Sequence, residues 1–262
     1  MIKAVFFDID DTLFSHELGR VPYSARAAVR QLRENGIKVF VSTGRHTAGL
    51  EQLPLDGMDF DGYITLNGQL CLDGRKKFLW GAPFDREMTE RLVSIFHSGK
   101  IPLILIEEGR FYINKIDQTV REAQAEISTP LPDMGEYSGQ PLYQAIAYLE
   151  KDGQDRIERD LGSDCKITHW SSRAIDIIPA GGGKARGMEY FMRKLGFLPS
   201  ETMAFGDAEN DIDMLKYAGI GVAMGNAEER VRYSADYVTE RADQDGIRRA
   251  LEHFHMIREE NC

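Results

Sequence analysis

Three polar clusters in this 262-residue chain carry side chains suited to phosphoryl chemistry. The first, Asp8-Ile-Asp10-Asp-Thr-Leu13, follows the apolar run 3–7 and sets two carboxylates two positions apart. At a strand end both can face one cleft, and carboxylate oxygens suit a hard cation such as Mg2+. The second, Thr43-Gly44-Arg45, places a hydroxyl and a guanidinium around a flexible turn. The third, Gly206-Asp207-Ala-Glu-Asn210-Asp211, adds acids and an amide behind another apolar run. Lys184 follows three glycines and opens a helical pattern, so it reads as a mobile cation. Acids for a metal, with a hydroxyl and a lysine for a phosphoryl group, form a consistent set for phosphoryl transfer. Taken singly, each piece has a plainer reading. An isolated D-x-D is more often a solvated turn or a cap, and Thr-Gly-Arg is ordinary turn chemistry. Asp211 and Asp213 suit the first turn of a helix on dipole grounds alone. The glycines before Lys184 serve equally as a hinge, and they form no P-loop, because Ile178 stands where the first Gly belongs and Ala185 replaces Ser or Thr. Conjunction favours chemistry: all four pieces occur in order, each at the same predicted sheet edge.

The elements that must position them follow from the apolar pattern. Runs 3–7, 37–41, 62–66, 202–205 and 220–223 are apolar without alternation, which predicts strands covered on both faces. Ala25, Ala28, Val29 and Leu32 recur at helical spacing, and Asn35-Gly36 supplies a stop. Helices are expected over 212–218 and 243–254, and a further strand over 235–239. This rhythm predicts βαβ units and a parallel sheet, whose carboxyl edge is where ligands bind. The middle differs. Strands are predicted over 103–106, 110–113, 143–149, 166–169 and 174–178, with helices over 85–97, 118–126 and 155–162. The turn from Glu107 to Arg110 reads as an antiparallel hairpin. Pro83 and Pro179-Ala-Gly-Gly-Gly183 read as joints. The expected fold is α/β: a Rossmann-like parallel-sheet core, residues 1–82 and 183–262, interrupted by an α+β insert, residues 83–182.

Charge narrows the partners. With 32 Lys+Arg against 42 Asp+Glu the formal charge is −10. That argues against nucleic acid, whose binding needs a basic face. A small phosphorylated ligand remains compatible, since a metal or local donors reverse the potential in one cleft. Cys71, Cys165 and Cys262 are far apart and fit a reducing compartment. The leading apolar stretch 4–7 is too short for an export signal, and no run approaches the ~20 residues of a membrane helix. The expectation is a cytoplasmic monomer or homodimer with no membrane partner.

The motifs together resemble those of the haloacid dehalogenase (HAD) superfamily hydrolases, Cof type, with the larger C2-type (C2B) cap. The matching pieces are Asp8-Ile-Asp10-Asp-Thr12, Ser42-Thr43-Gly44-Arg45, Asn67-Gly68, the stretch from Asp176 to Lys184, and Gly206-Asp-Ala-Glu-Asn-Asp-Ile-Asp-Met-Leu215. Met224-Gly225-Asn226-Ala227 and Asp245-Gly246 fit as well. The resemblance spans both ends of the chain, and the cap matches in size and position only. It implies a Mg2+-dependent phosphatase acting on a small phosphorylated metabolite: a sugar phosphate, a nucleotide or a vitamin-precursor phosphate. Asp8 would attack phosphorus and form an aspartyl-phosphate. Asp10 would protonate the leaving oxygen and then activate water. Asp8, the Asp10 carbonyl and Asp207 would hold Mg2+. Thr43 and Lys184 would bind phosphoryl oxygens, and Gly44, Arg45, Asn67 and Asn210 would complete the substrate contacts, Arg45 and Asn67 on the leaving-group side. Asn210 and Asp211 would orient the phosphate, Lys184 or metal-bound water. The family usually has Gly after the motif lysine; here Ala185-Arg186-Gly187 follows, and because Ala starts helices well, Lys184 is expected to keep its place. Arg186 reads as a solvated helix arginine or as extra charge near the cleft. A cap that closes over the leaving group argues against folded phosphoprotein substrates. Two other classes remain: a phosphosugar mutase-like phosphotransferase, which would isomerise rather than release phosphate, and a non-catalytic sensor, which would need neither nucleophile nor acid.

Overall fold

The computed structural model describes residues 1–51, 55, 57–127 and 129–258. Strand β1 (Ala4–Phe7) forms because all four of its side chains are withdrawn from water. After it come α1 (Tyr23–Glu34), β2 (Lys38–Ser42), α2 (Thr47–Glu51), β3 (Gly62–Thr65), β4 (Leu70–Asp73) and β5 (Phe78–Gly81). The middle of the chain holds α3 (Arg86–Ser98), β6 (Leu103–Ile106), β7 (Phe111–Ile113), α4 (Gln118–Glu126), β8 (Gln144–Tyr148), α5 (Lys151–Leu161), β9 (Cys165–Ser171) and β10 (Ala174–Pro179). The last part holds α6 (Lys184–Leu195), β11 (Thr202–Gly206), α7 (Ile212–Tyr217), β12 (Ile220–Ala223), α8 (Glu229–Arg232), β13 (Tyr237–Val238) and α9 (Gly246–His253). The chain divides into two compact units, Met1–Trp80 with Gly183–Cys262, and Gly81–Gly182.

In the first unit the strands lie in the order β13-β12-β11-β1-β2-β3-β4-β5. Val5, Phe7, Val39, Val41, Met203 and Phe205 point to one face, where α1 and α9 bury Ala28, Val29, Leu32, Ile247 and Leu251. Ala4, Phe6, Phe40, Ile64 and Ala204 point to the other, under Met188 and Phe191 of α6 and Leu215 of α7. Two covered faces explain why these strands read as unbroken apolar runs. Pairing is parallel from β13 to β3, as the sequence predicts, but β4 runs antiparallel to β3. The physical reason is the turn at Leu66, Asn67 and Gly68, whose φ angles of 52°, 51° and 92° reverse the chain.

The second unit is an antiparallel sheet in the order β7-β6-β8-β10-β9. Helices α3 and α5 bury Leu92, Phe96, Ile157 and Leu161 against Leu103, Leu105, Ala147 and Ile175 of that sheet. The Asp85 carboxylate accepts the Met88 N–H at 2.8 Å and so caps α3, which ends at Gly99 in left-handed backbone. The hairpin predicted at Glu107–Arg110 joins β6 to β7. Several boundaries shift: α5 starts at Lys151 rather than 155, β9 extends to Ser171, and β13 is only Tyr237–Val238. Among the described residues no helix is long and apolar enough to cross a membrane. Cys71 and Cys165 are buried free thiols, and Cys262 lies outside the described residues.

Candidate active site

The sequence-predicted clusters meet at the carboxyl ends of β1, β2, β3 and β11 and the start of α6, all within the first unit. Asp8 follows β1, and its N–H donates to the Phe205 carbonyl of β11 at 3.0 Å. Lys184 opens α6 and is fully buried, with Nζ 2.6 Å from Asp8 Oδ1 and 2.5 Å from Asp211 Oδ1. The mobile cation expected behind three glycines is therefore a fixed one, because two carboxylates and complete burial pin it. Asp211 turns its other oxygen to the N–H groups of Asp207 and Ala208, both at 3.0 Å. The Asp207 carboxylate accepts the Thr12 hydroxyl at 3.0 Å and, at 3.3 Å, the Asn226 amide, which also donates to the Asp11 carbonyl at 2.8 Å.

Asp10 lies on the more open side. Arg45 grips both its oxygens, Nε to Oδ2 and Nη2 to Oδ1, each at 2.7 Å. His16 Nε2 stands 3.0 Å from Asp10 Oδ1. Thr43 is buried; its Oγ1 accepts the Arg45 N–H at 3.1 Å, which leaves the hydroxyl hydrogen to donate elsewhere. Asn67 is also buried: its N–H donates to the Thr43 carbonyl at 3.1 Å, and its Oδ1 accepts the Asn210 amide at 2.8 Å. A Cβ on Gly44 would come within 3.0 Å of Asn67 Oδ1, so the bare backbone there admits this link. Arg45 and Asn67, expected on the leaving-group side, thus hold Asp10 and Asn210 respectively. Arg186 stacks its guanidinium over Trp80, 5.4 Å from the ring centre.

Electrostatics follow from crowding. Oxygens of Asp8, Asp207 and Asp211 lie within 4.8 Å of one another. Burial pushes the Asp8 carboxyl well above the usual carboxylate range; Lys184 pulls it down, while Asp211, Asp207 and Asp10 raise it further. Asp207 is pushed up to about 7 by burial and by repulsion from Asp211, against the Thr12 hydrogen bond. Burial works against the charge of Lys184, but Asp211 and Asp8 outweigh it and lift the lysine above its ordinary value. Asp10 behaves oppositely. Burial would raise it, yet hydrogen bonds from His16 and Arg45 bring it down to about 2. One face of the site therefore crowds three carboxyl groups beside a single ammonium, and its donors are all oxygens, which is the chemistry of a hard divalent cation. Beside it stand a carboxylate, a hydroxyl and an ammonium able to meet a phosphoryl group.

Thr12, His16 and Asn226 were not assigned roles from the sequence. Thr12 and Asn226 lie inside resemblance motifs, which was a usable signal. His16 lies outside every motif, and only its position in space marks it.

A family model described as haloacid dehalogenase-like hydrolase matches residues 5–251. The chain is similar to the protein YkrA of Bacillus subtilis (strain 168), 30% identical over 98% of this chain and 99% of that one. It is 28% identical to 5-amino-6-(5-phospho-D-ribitylamino)uracil phosphatase YcsE of the same organism, over 97% of this chain and 96% of that one. Among solved structures it is similar to BT1666 from Bacteroides thetaiotaomicron, described among phosphatases of the haloalkanoate (HAD) superfamily. The two share a TM-score of 0.89 and 31% identity, covering 98% of this chain and 96% of that one.

Proposed function

The chain belongs to the haloacid dehalogenase-like hydrolases, and on that premise we propose that it is a phosphatase of small phosphorylated metabolites with Asp8 as nucleophile. The observation that carries this reading is the buried Asp8–Lys184–Asp211 chain, in which a carboxylate and an ammonium sit 2.6 Å apart. As Asp8 bonds to phosphorus, the bond to the leaving oxygen breaks and that oxygen takes a proton from Asp10. Because Arg45 and His16 hold Asp10 ionised without ligand, it first gains that proton from the phosphate monoanion or solvent. Water then attacks the aspartyl-phosphate, Asp10 takes the proton, and inorganic phosphate leaves Asp8 as it began. Lys184 and Thr43 hold the equatorial oxygens, where charge accumulates. Asp211 keeps Lys184 in place, and the Asn67–Asn210 bond ties the turn after β3 to the loop after β11.

The acid-rich, all-oxygen donor set fits Mg2+, with Asp8, Asp207 and the Asp10 carbonyl as the residues to hold it. When bound, the cation offsets repulsion between carboxylate and phosphate. By its place in the chain, Gly81–Gly182 is the candidate cap, the module that selects the leaving group. YcsE acts on a phosphorylated ribityl compound by its name, which favours polyhydroxy phosphates in the first screen.

The test is phosphate release from a panel of phosphorylated metabolites, with Mg2+ or with EDTA. Release that needs the metal and vanishes in Asp8→Asn is the expected result. Isomerisation of a sugar phosphate without phosphate release would move the chain to the mutase class instead.

A further inference from the structure

We propose that His16 is a positioning residue that aims Asp10 for proton transfer to the leaving group. The proposal deepens the phosphatase reading and rests on it. The segment after β1 folds into a small flap. Asp10 bridges Phe14, Ser15 and Arg20 exchange backbone hydrogen bonds at 3.1 and 3.3 Å, and the Gly19 N–H returns to the His16 carbonyl at 3.3 Å. His16 sits in this flap under three separate restraints. Its N–H donates to Asp11 Oδ1 at 3.0 Å, its ring meets Phe14 edge-on at 5.2 Å, and its Nε2 lies 3.0 Å from Asp10 Oδ1. Asp11 itself holds left-handed backbone at φ 54°, which Asp adopts more readily than most non-glycine residues. The side chain that anchors His16 is thus turned into position by the backbone of the catalytic loop.

Asp10 is held from two sides, and the sides are unequal. Arg45 comes from the loop after β2 and belongs to the residues expected to meet substrate, so its grip is open to competition from an incoming ligand. His16 comes from the same loop as Asp10 and holds only Oδ1. When Arg45 turns toward a ligand, His16 keeps the carboxyl oriented and leaves Oδ2 for the leaving oxygen. General acid transfer needs heavy atoms at roughly 2.6–3.2 Å, and a misplacement of about 1 Å costs on the order of 10²-fold. Two contacts on the ring, with the His16 backbone N–H tied to Asp11, supply that accuracy.

The experiment measures kcat/KM for substituted phenyl phosphates, from 4-nitrophenyl to unsubstituted phenyl, with wild type, His16→Phe, His16→Gln and Asp10→Asn. This parameter ends at formation of the aspartyl-phosphate, so the later base role of Asp10 does not enter it. 4-Nitrophenolate departs without a proton, whereas phenolate gains from one. His16→Phe keeps a ring against Phe14 but removes the nitrogen; it is expected to lose about tenfold on phenyl phosphate and less than about twofold on 4-nitrophenyl phosphate. His16→Gln, which restores an N–H donor, should recover most of the loss. The side chain is 43% exposed, so both variants are expected to fold, and thermal unfolding checks this. Asp10→Asn separates the two ideas. If it depends steeply on the leaving group while His16→Phe loses evenly or not at all, the role of His16 is overturned and the acid role of Asp10 stands. If Asp10→Asn itself loses evenly across the series, the acid assignment falls, and the positioning role with it.

Discussion

Lys184 and its two carboxylates form a unit in which no member is stable alone. The ammonium is fully buried, and Asp211 spends its remaining oxygen on two backbone N–H groups. Lys184→Met would leave Asp8 and Asp211 buried together without a cation, a loss of about 3–5 kcal/mol by analogy with other broken buried pairs. Urea unfolding should register it, and phosphate release should vanish with it. Asn67 makes a milder case. Its φ of 51° suits Asn better than Ala, and its Oδ1 accepts the Asn210 amide. Asn67→Ala is expected to cost about 2 kcal/mol, the sum of a backbone penalty and a lost hydrogen bond. Its kcat should fall as the Thr43 and Asn210 loops lose register. Motif order made Asp8, Thr43, Lys184, Asp207 and Asp211 legible as members of one site. It did not reveal that Arg45 would grip Asp10, since that contact depends on how two strand ends 35 residues apart meet.

At the scale of elements, the turn after β3 is the sharpest determinant. Gly68 has φ 92°, and a Cβ there would stand 1.8 Å from the Gly183 carbonyl, next to Lys184. Gly68→Ala is therefore expected to destabilise by at least about 2–3 kcal/mol and to displace the start of α6, with activity falling further than melting temperature alone would explain. In the second unit, Glu107 closes the β6–β7 hairpin from inside. Its carboxylate accepts the Tyr112 hydroxyl at 2.7 Å, the Ser138 hydroxyl at 2.6 Å and Arg110 Nε at 2.8 Å. Burial would raise this carboxyl, but the bonds from Ser138, Tyr112 and Arg110 prevail and hold it below its ordinary range. A lowered folded-state value means stability that is complete above the unfolded pKa and lost as pH falls through the folded one. Glu107→Gln should thus be less stable than wild type by about 1.5–3 kcal/mol at neutral pH, with the gap closing in acid. Chemical unfolding at a series of pH values checks both parts. Strands buried on two faces were readable because nothing polar interrupts them. β4 and β5 were not, because Leu70–Asp73 is squeezed between the turn signals Asn67-Gly68 and Asp73-Gly74, and Phe78–Gly81 is half exposed and lies beside Pro83, so both resemble connections.

For the whole molecule, the site where Asp8, Asp207 and Asp211 bring oxygens within 4.8 Å of one another beside Lys184 is the place for a cation. A cation that binds only the folded chain stabilises it by mass action, about 2.7 kcal/mol at a hundredfold excess over Kd. Added Mg2+ should raise the melting temperature of wild type, and Asp207→Asn should abolish most of that rise without phosphate turnover being involved.

The sequence by itself determined the residue types, their order along the chain and the alternation of strand and helix that brings four motifs to one sheet edge. These are local properties, set by hydrophobic period and turn chemistry. Only the tertiary structure decided which side chains pair: Lys184 with Asp8 across 176 positions, Asn210 with Asn67 across 143, and His16 with Asp10 through a flap. Such pairings depend on distances of a few tenths of an ångström between segments remote in the chain, and no spacing along a sequence encodes them.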